Sequence, residues 1–129
     1  MPVEPQAPRL TGGALNSAIS AAVVGLLREY TGRGPTKART SIRDDLVVVL
    51  LEDTLTKGEQ SLVRSGREAT VLGVRHEFQL AMRADCVETV ERLTGRTVIA
   101  MMSANHVDPD LGAELFLLAA EPVAAPATQ

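Results

Sequence analysis

Apolar residues recur every three or four positions between residues 13 and 31, at Leu15, Ile19, Ala22, Leu26 and Tyr30. That is the spacing of one helix face, and Gly32 followed by Pro35 marks where the helix stops. The period then falls to two: Ala38, Thr40 and Ile42 alternate with Lys37, Arg39, Ser41 and Arg43, as in a half-exposed strand. Asp44-Asp45 suits a tight turn, and the β-branched run LVVVLLE is a second strand. The segment TKGE from Thr56 to Glu59 has the form of a capping box and predicts a short helix to about Val63. After RSG, a long helix is expected over about 67–94, with apolar positions Val71, Val74, Phe78, Met82, Val87, Val90 and Leu93, ending at Gly95. RTVIAMMSA, the turn NHVDPD and LGAELFLLA complete a second hairpin.

The predicted order is αββααββ. This is an α+β fold of two α-β-β units forming a mostly antiparallel four-stranded sheet, with helices on one face. The units read as a repeat, because the first helix ends REYTGR and the long one ERLTGR, each leading into a hairpin. At an offset of 63 residues Ile19 falls on Met82, Val24 on Val87, Leu27 on Val90 and Tyr30 on Leu93, and the second turn holds two extra residues. LVVVLL, TVIAMM and LFLLA are apolar on both strand faces, whereas helices cover only one. A second copy of the chain is the simplest cover for the other, so a homodimer or a multiple of dimers is expected, with exchange of elements between subunits compatible with the long connections.

A chain of 129 residues is one domain by length and holds a core without disulfides or metal. Aromatic residues are 2%, so that core is built from Val, Leu, Ile, Met and Ala. The ends, 1–10 and 120–129, are rich in Pro and Ala without periodicity and are expected as disordered tails around a domain at about 11–119. A net charge of −3 and scarce aromatics argue against nucleic acid as a partner. The single cysteine, Cys86, makes no internal disulfide and points to a reducing cytoplasm. No run reaches the length of a membrane span, so direct insertion is not expected.

The densest candidate chemistry is TGRGPTKARTSIRDD, residues 31–45. Arg33, Gly34, Lys37, Arg39 and Arg43 are the candidate anion- or partner-binding residues: glycines permit close backbone approach, and alternate cations share one strand face. The structural alternative is a helix cap followed by the wet face of an edge strand, where cations oppose aggregation. No phosphate-binding P-loop motif is present. His106, Asp108 and Asp110 in SANHVDPD are weak metal-ligand candidates, since a hairpin turn selects the same residue types. His76 and Cys86 on the long helix read as a boundary residue and a packed thiol, and Asp44, Asp45, Glu52 and Asp53 as turn and helix-start residues. No catalytic set and no cofactor are expected.

The segment from GALNSAIS to TKGEQSLV resembles a bacterial family of small proteins named MpsC, and so does VERLTGRTVIAMMSANHVDPDLGAELFLL. GRGPTKAR, LEDTLTKGE and SANHVDPD are its most distinctive pieces, and the resemblance spans about 12–118. It implies an accessory role beside membrane machinery for ion translocation or inorganic-carbon uptake, with a membrane-protein partner, and carries no catalytic residues. The expectation is a non-enzymatic accessory or regulatory protein, cytoplasmic or membrane-peripheral, that binds an anion or an acidic partner surface through the Gly32–Arg43 region. An RNA-binding module and a small-molecule enzyme with a site between subunits are the alternatives.

Overall fold

The computed structural model describes residues 9–35 and 37–120. Apart from Arg9, Leu10 and Ala120, the expected tails lie outside the described residues. The elements are α1 (Gly12–Thr31), β1 (Lys37–Arg43), β2 (Leu46–Glu52), α2 (Lys57–Arg64), α3 (Glu68–Thr94), β3 (Val98–His106) and β4 (Leu111–Leu118). The fold is α+β and the order is the predicted αββααββ.

The two TGR segments end their helices in the same way. Gly32 takes φ +83° and donates its N–H to Arg28 O at 2.8 Å; Gly95 takes φ +70° and donates to Glu91 O at 2.8 Å. Thr31 and Thr94 donate their hydroxyls to the carbonyls of Leu27 and Val90, and accept the N–H of Arg33 and Arg96. Both arginines then pair with an aspartate bordering β2: Arg33 with Asp53 at 2.9 Å and Arg96 with Asp45 at 2.5 Å. The capping box of α2 is complete, with Glu59 N–H donated to Thr56 Oγ1 at 3.2 Å and Thr56 N–H to Glu59 Oε1 at 2.9 Å.

The sheet is antiparallel throughout, in the order β1-β2-β4-β3. Shifting the first strand of the first hairpin by 63 residues and the second by 65 carries the pair Lys37↔Glu52 onto Ala100↔Leu117, the two inserted turn residues making the difference. The buried faces of the long helices obey the same offset, Ile19, Val23 and Leu27 standing where Met82, Cys86 and Val90 do. Val49 shifted by 65 is Glu114, its own partner across β2 and β4. The two α-β-β units are thus related by an approximate twofold axis through the Val49–Glu114 pair.

α1 and α3 lie side by side on one face, and between them and the sheet sits a core of Ile19, Val23, Leu27, Met82, Cys86 and Val90 against Val47, Val49, Leu51, Met101, Phe116 and Leu118. The α1 stripe is centred on Val23 and Leu27 rather than on Ala22 and Leu26. On α3, Val74 is exposed and Arg75 is buried instead. A polar bond joins helix to edge strand where Ser20 and Thr40 hydroxyls meet at 2.7 Å.

Open space surrounds Gly32, so a Cβ there meets nothing and only its left-handed backbone resists substitution. Gly32→Ala is expected to cost about 1 kcal/mol, the strain of an L-residue in that region. Chemical denaturation checks this, and Gly32→Asn should recover part of the loss.

Candidate functional site: the outer face of the sheet

Strand registers arrange the residues pointing away from the helices into four rows, read here from β1 to β3. The first is Arg43, Leu46, Leu117, Ala100, and the second Ser41, Val48, Leu115, Met102. The third is Arg39, Leu50, Ala113, Ala104, and the fourth Lys37, Glu52, Leu111, His106. Every residue of the first three rows on β2, β4 and β3 is apolar, and no described helix lies over them. Met102 is 64% exposed and Leu117 42%. Monomers rarely leave so continuous an apolar face in water.

Lys37, Arg39 and Arg43 share this face along its β1 edge. Lys37 and Arg43 are six residue steps apart along the strand, roughly 20 Å, so the cations form a strip and not a pocket. Arg39 reaches Glu52 at 3.2 Å with its side chain largely in water. Arg33 stands apart in the loop before β1, held by the carboxylate and the carbonyl of Asp53. Gly34 is where the Arg28 guanidinium lies against the chain; a Cβ there would stand 3.0 Å from a guanidinium nitrogen. The amides of Gly32 and Arg33 are spent on Arg28 O and Thr31 Oγ1. Of the five residues singled out in the sequence, three share the open face and two serve the helix end.

In SANHVDPD, the Asp110 carboxylate accepts from Thr54 Oγ1 at 3.0 Å and from the Leu55 N–H at 2.8 Å. His106 Nδ1 lies 2.8 Å from Pro109 O, and Asp108 is exposed. Among the described residues no three His, Cys, Asp or Glu side chains are grouped to hold a metal.

The sequence pattern did not show the buried polar residues beneath the sheet. Arg75, 3% exposed, donates to both Glu59 oxygens at 2.8 and 2.6 Å and to Thr54 O at 2.5 Å. Its only sequence signal is position, since it stands four residues from Val71 on the buried stripe. Glu114, 4% exposed, accepts from Ser103 Oγ and, at 3.1 Å, from Gln79 Nε2, whose amide also exchanges bonds with Asn105. Burial pushes the Glu114 carboxyl above its ordinary range, against the pull of the Ser103 and Gln79 hydrogen bonds. Burial, with the Glu114 and Asp85 charges, pushes the Cys86 thiol up to about 12, which keeps it protonated and unreactive.

The family model described as "Na+-translocating membrane potential-generating system (MpsC)" matches residues 11–120. The chain belongs to the MpsC family. No curated protein and no solved structure shows significant similarity to it. In this MpsC chain, two of the segments that carry the resemblance meet at one end of the sheet: LEDTLTKGE supplies Thr54, Leu55 and Glu59, and SANHVDPD supplies Asp110. Their polar atoms are consumed in joining the β2–α2 connection to the second hairpin and α3. The family's description connects it with a Na+-translocating, membrane-potential-generating system.

Two expected outcomes test the buried groups. Arg75→Met leaves Glu59 buried and unpaired and should cost about 3–5 kcal/mol by urea unfolding. Adding Glu59→Gln, which keeps the capping box, should restore most of that loss. For Glu114 the folded state binds the proton more tightly than the unfolded chain. Its unfavourable contribution is therefore absent below the ordinary value of 4.5 and grows as pH rises through the raised range. Glu114→Gln should make the protein more stable than wild type at pH 7, with the difference vanishing towards pH 4, as followed by thermal melts across pH.

Proposed function

We propose that this MpsC-family protein is a non-enzymatic accessory or regulatory subunit. It works at the cytoplasmic side of membrane machinery for ion translocation or inorganic-carbon uptake and binds an acidic partner surface through the Gly32–Arg43 region. Lys37, Arg39 and Arg43 make the contact. The observation that carries the reading is their alignment on the exposed side of β1, bordering an apolar face. A strip of roughly 20 Å suits an extended acidic surface better than a single small anion. The working unit is a homo-oligomer, a dimer or a multiple of dimers.

Three further features support this. No described helix is long and apolar enough to cross a membrane, so association is peripheral in this reading. The buried charged groups beneath the sheet are engaged in structural bonds, Arg75 with Glu59 and Glu114 with Ser103 and Gln79. None of the outward rows holds a Phe, Tyr or Trp ring on which a base could stack, which favours an acidic protein surface over RNA.

Co-sedimentation of the protein with membranes from its own host tests the reading. Retention at low salt should fall as salt is raised, and the double variant Arg39→Glu/Arg43→Glu should lose about tenfold in retention, since opposed charges at an interface govern encounter and specificity. Equal retention of the variant, with an unchanged melting curve, sinks the assignment of β1 as the docking strip.

A further inference from the structure

We infer that the apolar outer face is closed by a second copy of the chain, the two sheets stacked face to face about a twofold axis that runs along β4. This rests on the homo-oligomeric reading above and adds the surface and its geometry. The apolar rows are centred on β4, with β2 on one side and β3 on the other, and β1 outside them. An axis along β4 therefore lays apolar on apolar and leaves β1 beyond the edge of the partner sheet, its cations still in water.

The side-chain sizes match under that operation. Leu46 lies over the partner's Ala100 and Leu50 over the partner's Ala104, large opposite small, while Val48 meets the partner's Met102 and Leu115 meets its own copy. In the fourth row Glu52 comes opposite the partner's His106, an acid facing an imidazole. The other stacking, with the axis across the strands, sets Glu52 and its Arg39 pair against the partner's apolar first row and takes an ion pair out of water, which is costly. Joining two sheets edge to edge through β1 in antiparallel register about Thr40 is disfavoured too, because Lys37 would face the partner's Arg43. Three strands spaced ~4.8 Å and four rows spaced two residues apart give a patch of roughly 14 by 25 Å. That is about 700 Å² of flat area over the two copies, and the relief of interdigitated side chains raises the accessible surface buried towards ~1,200 Å², the lower end for a stable interface. The result is a helix–sheet–sheet–helix sandwich with a cationic β1 strip on each flank.

The test is cross-linking of the full chain with a short bifunctional thiol reagent, alongside light scattering. Cys86 is fully buried and does not compete. The expected result is a dimer in which Leu115→Cys links to itself. Val48→Cys and Met102→Cys should stay unlinked alone and link to each other when mixed and re-equilibrated. Leu115→Arg should give a folded monomer with an unchanged circular-dichroism spectrum. A dimer that survives Leu115→Arg, or in which Val48→Cys and Met102→Cys each link to themselves, overturns this geometry and leaves the homo-oligomeric reading standing. A wild-type monomer overturns that reading as well, and the face then belongs to a different partner.

Discussion

Seven residues of β2 pair with seven of β4, and this ladder joins two halves that otherwise touch chiefly where α1 lies against α3. Its register, centred on Val49 and Glu114, decides which residues of each half face the helices and which face outward. A slip of one residue would turn Val47, Val49 and Leu51 to the open face and bring Leu46, Val48 and Leu50 inward. Both sets are apolar, so hydrophobicity alone discriminates weakly between registers. The polar residues at its two ends discriminate strongly: the observed register brings Thr54 and Leu55 to the Asp110 carboxylate at one end and Asp45 to Arg96 at the other.

The approximate twofold makes the differences between the halves informative. Val49 and Glu114 are equivalent, as are Ile42 and Asn105, and the second half has traded apolar contacts for a hydrogen-bonded group. Such a group contributes less to stability than apolar packing but accepts few alternative arrangements. On the outer face the exchange runs the other way. Lys37, Arg39, Ser41 and Arg43 of β1 correspond to Ala100, Met102, Ala104 and His106 of β3. One edge is suited to water and acidic surfaces and the other to burial, and from that asymmetry a single fold gains both a charged flank and an apolar floor.

Most of the architecture was legible because the chain obeys local rules. The αββααββ order, the helix ends at Gly32 and Gly95, the capping box at Thr56 and the hairpin turn at Asp44-Asp45 each depend on a few adjacent residues. The open apolar face was legible as well, since LVVVLL and LFLLA are apolar at both strand parities. The candidate site was legible in part. Alternation placed Lys37, Arg39 and Arg43 together, but nothing in the sequence showed that Arg33 is taken up by Asp53 or that Gly34 lies against Arg28.

By itself the sequence determined the elements, their ends and the repeat, because helix and strand periods, caps and turns are set by neighbours within a few positions. Only the tertiary structure decided the fates of Arg75, Glu114 and Asp110. Their partners lie 16, 35 and 56 residues away along the chain, in Glu59, Gln79 and Thr54. A charged residue on an apolar stripe reads from sequence as an interruption. Folding turns it into a joint by bringing a complementary group from another element to within hydrogen-bonding distance as water is excluded.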